Sequence, residues 1–270
     1  MPELAEVEFF RKRWNPGLDQ QVSAVLLHPA ASVFRGCDVT LLEDHLTGAK
    51  LLYSSTAAKQ MLFRFSGDAW LGLHLGMTGE LTVQTADFEP RKHDHLVLSQ
   101  HDRSLVFSDH RMFGRVQLSI GPEVPAWWSS IAPAILSDAF TIDAVATFLR
   151  RHARSPIKAV LLMQERFPGI GNWMADEILW RSAIHPKQPA GTLAPAQIKT
   201  LHKECRWVCR QALKIIGGKN DELHDPPKTW LFPHRWKDGG RCPKTGGKLL
   251  REQIGGRTTC WSPARQKLLA

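Results

Sequence analysis

A chain of 270 residues, 43% hydrophobic and 23% charged, has enough apolar sequence for about two domains with real cores and is not a disordered polymer. Its net charge of +9 suits a polyanionic partner, through release of counterions from phosphates, although charge alone does not single one out. Five irregularly spaced cysteines exclude a disulfide framework, no stretch approaches the ~20 apolar residues of a membrane span, and Met1-Pro2-Glu3-Leu4 is not a secretory start, so an intracellular protein is expected.

Residues 3–14 read as a short helix. Pro2 suits its first turn, Glu3 and Glu6 complement the positive end of its dipole, and Leu4, Val7 and Phe10 share a face before Asn15-Pro16-Gly17 stops it. From about 20 to 120 the period becomes two: Leu71, Leu73 and Leu75, then Leu96 and Leu98, then Leu105 and Phe107. The stretch 121–142 has several prolines and no period, and the linker is placed at 131–142. The second half is helical. Ser155-Pro156 starts one helix with Ile157, Val160 and Leu161 on its buried stripe, and Pro168 to Asn172 breaks it. A second runs from Trp173 to Ser182. A third begins near Pro195, with Ile198, Leu201, Cys205, Val208, Cys209, Ala212 and Ile216 on its apolar face, which makes both cysteines core residues rather than ligands. In the Lys-, Arg- and Gly-rich tail, Gly255-Gly256 marks a β-hairpin.

Four separated segments carry a specific resemblance. They are Met1-Pro2-Glu3-Leu4-Ala5-Glu6-Val7-Glu8; Ala58-Lys59 with His74-Leu75-Gly76-Met77-Thr78-Gly79; Lys92-His93-Asp94-His95 with Asp109-His110-Arg111-Met112-Phe113-Gly114; and Gly169 to Glu177 with Ile184-His185-Pro186. In this order they resemble the formamidopyrimidine-DNA glycosylase and endonuclease VIII family. The chemistry of the first segment agrees. Loss of Met1 would free a secondary amine at Pro2; an α-amino group titrates near ~8, so a useful fraction is neutral at working pH. Such an amine can attack a sugar C1′ and form an iminium intermediate. The resemblance makes Glu3 the acid/base partner, Glu6 a DNA-binding residue that positions the site or the extruded base, and Lys59, counted with the catalytic residues, a contact to phosphate and lesion nucleotide. Met77, Arg111 and Phe113 match the trio that fills the hole left by an extruded base. Asn172 matches a phosphate-binding asparagine at the turn of a helix-two-turn-helix motif, where glycines let the backbone approach an anion. His93 falls in the DNA-contacting set, and for His93, Asp94 and His95 the resemblance implies structural hydrogen bonding rather than metal ligation. The family usually has proline where this chain has Ala5, which puts the fine placement of Glu3 and Glu6 in question.

The tail departs from the family's four-cysteine zinc finger. By alignment to that pattern the ligand positions are Cys242, Thr245, Ser262 and Arg265, and Cys260 is not among them. One ligand of four cannot close a tetrahedral site, so no metal and no diffusible cofactor is expected. Trp230, Phe232, Trp236 and Trp261 are expected to supply an apolar core instead, and Arg257 matches the finger arginine that grips phosphates.

The expectation is therefore an α+β protein: an N-terminal β-sandwich with flanking helices at 1–130, a linker at 131–142, a helix-two-turn-helix domain at 143–228 and a zincless hairpin finger at 229–270. Its partner would be double-stranded DNA with a damaged base or abasic site, and it would act as a monomer. The favoured lesions are 8-oxoguanine or formamidopyrimidine, with residues 217–229 as a lesion-capping loop. An oxidised-pyrimidine glycosylase of the endonuclease VIII kind and a binder of damaged DNA without chemistry stay open. A sequence-specific transcription factor would instead bind undamaged DNA tightly against random competitor.

Overall fold

A computed structural model describes residues 1–28, 30–218 and 222–268. Of the 217–229 segment, residues 219–221 lie outside the described residues. The chain divides into two compact units, one of Met1–Ile131 and one of Ala132–Gly218 with the chain from Leu223 onward.

The first unit begins with helix α1 (Leu4–Arg13), followed by β1 (Ala24–Leu27), α2 (Val39–Leu46), β2 (Leu51–Ala57), β3 (Gln60–Phe65), β4 (Ala69–His74), β5 (Gly79–Thr85), β6 (Asp94–Ser99), β7 (Arg103–Asp109) and β8 (Arg115–Ile120). The strands make two antiparallel four-stranded sheets, ordered β1-β6-β7-β5 and β2-β3-β4-β8. Period-two alternation sends Phe63, Phe65, Leu71 and Leu73 from one sheet, and Leu81, Leu96, Leu98, Leu105 and Phe107 from the other, into a single core. Register pairs Leu96 with Phe107 and Leu98 with Leu105. Each such side chain contributes about 1.5–3 kcal/mol on burial. A slip of one residue would turn the whole set outward. Trp14, fully buried, closes α1 onto this core against Phe63 with ring centroids 4.9 Å apart.

Helix α2 departs from the strand reading of residues 20–120. Asp38 caps it, accepting from the amides of Thr40 and Leu41, and Leu42 and Leu46 enter the core. The proline-rich stretch likewise holds a turn of helix, α3 (Ala126–Ser129).

The second unit contains α4 (Ile142–Arg151), α5 (Ile157–Val160), α6 (Asn172–Ser182), α7 (Pro195–Ile215) and the hairpin β9 (Leu250–Ile254) with β10 (Arg257–Trp261). Helix α4 overlaps the expected linker only at Ile142 and otherwise opens the expected helix-two-turn-helix domain, at a place where the sequence reading names no element. Thr141 caps it, and Val145, Phe148 and Leu149 form its buried stripe. Helix α6 is buried from Trp173 to Trp180 and packs on α7, where Leu201, Cys205, Val208, Cys209 and Ala212 are buried as expected.

The apolar core beneath the hairpin differs from the expected aromatic set. Trp180, Leu231, Cys242, Leu249 and Cys260 form it. Trp236 is 55% exposed. Trp230 and Phe232 pack instead against Trp173, with Trp207 also against Trp230, and Trp261 packs on the His185 ring. The hairpin is thus built onto α6 through Trp180, not around its own tryptophans. No helix among the described residues is long and apolar enough to cross a membrane.

Candidate active site

Strand ends of the first unit gather the sequence-derived residues at one end of the sandwich. Gln60 pairs with His74, His74 with Arg115, Gly79 with Asp109, and Asp94 with Ser108. The β2–β3 turn (Lys59), the β4–β5 loop (Met77), the start of β6 (His93) and the β7–β8 loop (Arg111, Phe113) therefore share that end. Helix α1 runs antiparallel to β2: Arg11 donates to the Ser54 hydroxyl at 2.7 Å, and one turn earlier Glu8 accepts from Thr56 at 2.8 Å. Continuing that run brings the start of α1, with Pro2 and Glu3, to the same end as the β2–β3 turn.

Pro2 is half-buried, whereas Glu3 is only 2% exposed. Glu6 reaches back so that its carboxylate accepts the Glu3 N–H at 3.2 Å, one half of a capping box. Ala5 stands in this turn where the family usually has proline. Its methyl group is fully buried, and the Glu6 bond fixes the first turn that a proline ring would otherwise stiffen. Glu8 is structural: burial raises its pKa, but Arg11, Thr56 and Lys12 outweigh that and hold it ionised.

Ala58 takes a left-handed conformation (φ 55°) to turn the chain ahead of Lys59. His74 stands beside this turn. Burial first, and then the Lys59 and Arg35 cations, push its pKa down and keep it neutral, and its Nδ1 accepts the Gly76 N–H at 3.0 Å. Met77 is half-buried. Phe113 is 51% exposed, which excludes the core role that an aromatic residue before glycine often has. The exposed Arg111 guanidinium lies 4.7 Å over the Phe113 ring. His93 packs on His110 with centroids 4.5 Å apart. Its neighbours are structural, as expected. Asp94 accepts from Ser108 Oγ at 2.5 Å and Arg91 N–H at 2.8 Å, and His95 Nε2 lies 2.9 Å from the Asp109 carbonyl.

Asn172 and Arg257 are neighbours in the second unit. Asn172 opens α6, and its side-chain amide donates to the Thr258 carbonyl at 2.9 Å, next to the exposed Arg257. Gly255 and Gly256 (φ 59° and 75°) make the tip of the hairpin. A Cβ at Gly255 would lie 2.7 Å from that of Ala159, so only glycine lets the tip rest on α5.

Among the described residues no three His, Cys, Asp or Glu side chains come together as a metal site. At the family's ligand positions stand other bonds. The Trp180 indole N–H points at Cys242 Sγ over 3.3 Å, and the Arg265 guanidinium donates to the Trp180 and Arg181 carbonyls at 2.6 and 2.7 Å, capping the end of α6. Burial raises the Cys242 thiol's pKa, but hydrogen bonds from Thr245, Trp180 and Ser262 overcome this and bring it to about 7.

Two buried carboxyl groups lie in the quoted segments, but the sequence alone assigns them no role. Asp109 collects bonds from both loops of the first site. Asp176 sits between Lys158 and Arg235. The only available signal for the second was a lysine inside the apolar stripe Ile157, Val160, Leu161, which demands a buried counter-charge.

Residues 1–116 match the model of the formamidopyrimidine-DNA glycosylase N-terminal domain, and residues 131–222 that of the formamidopyrimidine-DNA glycosylase H2TH domain. A formamidopyrimidine-DNA glycosylase of a Roseiflexus species is 38% identical over 78% of this chain and 79% of its own. That of Thermus thermophilus is 32% identical over 98% of both chains. The structure is similar to that of the Lactococcus lactis enzyme in complex with DNA containing an oxidised pyrimidine, with TM-score 0.89 and 26% identity over 98% of this chain and 100% of that one. The Lactococcus lactis protein has also been solved with abasic-site DNA, and a mutant of it with Fapy-dG DNA.

Proposed function

The chain belongs to the formamidopyrimidine-DNA glycosylase family, a base-excision-repair DNA glycosylase and abasic-site lyase, and from that premise we propose that Pro2 is its nucleophile. The observation that carries this reading is the pairing at the start of α1. A half-buried proline is followed by a glutamate whose side chain is almost wholly buried and whose backbone N–H is held by the Glu6 carboxylate.

With Met1 removed, the Pro2 nitrogen attacks C1′ of the extruded nucleotide, and the base leaves with the electron pair of the glycosidic bond. Glu3 delivers a proton to the ring oxygen as the sugar opens, leaving an iminium between Pro2 and C1′. That cation acidifies the C2′ proton, whose removal breaks the C3′–O bond by β-elimination. Lys59 and His93 hold the lesion-side phosphates, while Met77, Arg111 and Phe113 occupy the vacated stack. Asn172 and Arg257 grip backbone phosphates from the second unit. The lesions favoured are oxidised purines, 8-oxoguanine or formamidopyrimidine. The protein acts as a monomer inside the cell, where damaged duplex is found.

Borohydride in the presence of lesion duplex should reduce the iminium and leave a covalent protein–DNA adduct. The panel carries 8-oxoguanine, formamidopyrimidine, oxidised-pyrimidine and abasic duplexes. Its strongest signal is expected on the purine lesions. Absence of adduct on every one would leave a binder of damaged DNA without chemistry.

The finger acts without zinc in this reading, since Thr245, Ser262 and Arg265 are not a tetrahedral zinc donor set. Dialysis against a chelator should leave both the melting temperature and lesion cleavage unchanged. One tightly held zinc per chain in elemental analysis would overturn that part.

A further inference from the structure

Asp109 ends β7 with its side chain fully buried, where an ionised carboxyl is costly unless every lone pair is used. Its bonds account for the burial. Oδ1 accepts from the Thr78 hydroxyl at 2.5 Å and the Arg111 N–H at 3.2 Å. Oδ2 accepts from the Gly114 N–H at 2.7 Å. One carboxylate thereby ties the loop after Met77 to both flanks of the loop that holds Arg111 and Phe113.

That second loop does not hold its shape unaided. Met112 sits at φ 53°, a left-handed conformation costly for a residue with a Cβ. Ser32 Oγ donates to the Met112 carbonyl at 3.0 Å, and Arg35 donates to the Gly114 carbonyl at 2.7 Å, so the strained turn is clamped from behind as well. The two loops also touch: a Cβ on Gly76 would stand 2.5 Å from the Phe113 carbonyl carbon.

We propose that Asp109 is a positioning residue that sets Met77, Arg111 and Phe113 in one fixed arrangement, so that they enter the duplex together when a base is extruded. This rests on the reading of those three as the void-filling group. A carboxylate is required because the donors converge on both of its oxygens; an amide in its place would turn N–H groups toward either Thr78 and Arg111 or Gly114.

The test compares lesion-containing duplex with an abasic single strand, which has no opposing base and leaves no void. Asp109→Asn, and Thr78→Val as a milder cut of the same link at an exposed residue, should lower kcat/KM on duplex by roughly ten- to a hundredfold. Both should leave cleavage of the abasic single strand unchanged. Adding Thr78→Val to Arg111→Ala should cost less than it does in the wild type, because the two act through one group. If Arg111→Ala and Phe113→Ala cleave lesion duplex normally, the void-filling reading itself fails and takes the inference with it. If those two are impaired while Asp109→Asn and Thr78→Val are not, the inference alone is overturned. Equal losses on duplex and single strand also overturn it, since they report general damage to the fold.

Discussion

Protein that keeps Met1 attached to Pro2 should neither cleave lesion duplex nor form a borohydride-trapped adduct. The reason is electronic. A proline nitrogen bonded to a preceding carbonyl is part of an amide, its lone pair delocalised into the C–N bond, and it cannot add to C1′. Freed, the same nitrogen is a secondary amine with a pKa near ~8, more than two units below the ~10.4 of a lysine. The loss should therefore be complete, and a co-translational processing step becomes a condition for catalysis. Glu3→Gln provides the contrast. It keeps the amine and the shape of the first turn but cannot deliver a proton, so turnover should fall by roughly 10²- to 10⁴-fold without reaching zero. Mass spectrometry of the preparation, beside its cleavage rate, checks the first expectation. Activity in material shown to retain Met1 would remove Pro2 from the mechanism and leave Lys59 as the amine to examine.

Most of the candidate site was legible because its residues are carried by local rules. The proline and two glutamates lie within one helical turn. The glycines at 76, 79, 169 and 171 mark loops between periodic segments, and Gly255-Gly256 marks a hairpin. The strands of the sandwich announce themselves through Leu96, Leu98, Leu105 and Phe107. The misses have physical causes too. Helix α2 is short, and Leu41-Leu42 presents adjacent apolar residues inside a region that otherwise alternates. Helix α4 has a clear cap and stripe in Thr141, Val145, Phe148 and Leu149, but its start lies at the end of the aperiodic, proline-containing stretch 121–142, which masks the cap. What sequence could not carry is the meeting of distant side chains. The aromatic residues of the tail were grouped by proximity along the chain, whereas the core beneath the hairpin is assembled around Trp180, from a helix some sixty residues upstream of Cys242. Asp176 belongs to the same class, and so does the bond that Asp109 accepts from Thr78 in a separate loop: each joins segments that no local pattern connects.

Asp176→Ala should destabilise the second unit by about 3–5 kcal/mol, well above the ~1 kcal/mol of an average substitution. Its carboxylate has Lys158 Nζ at 2.5 Å on one oxygen, and Arg235 Nη2 at 2.6 Å with the Cys260 N–H at 3.0 Å on the other. Lys158 is 0% exposed and Arg235 only 5%, so truncation removes, out of water, the carboxylate that both cations share. The argument turns on charge rather than contact, and a second substitution separates the two. Lys158→Met in the Asp176→Ala background removes one of the two buried cations at similar volume and should recover part of the loss, although it deletes a further native interaction. Chemical denaturation followed by far-UV circular dichroism, dominated by helices such as α6 and α7, reads the effect. A loss below 1 kcal/mol, or a double variant less stable than Asp176→Ala, would show that the cluster is not held by its charges. The same cluster reaches the proposed phosphate grip. Lys158 also donates to the Asn172 carbonyl at 2.7 Å, and the Cys260 amide fixes the strand that begins at Arg257. Residual folded Asp176→Ala protein should accordingly bind lesion duplex more weakly at a given salt concentration, because the two residues proposed to bind phosphate lose their common anchor.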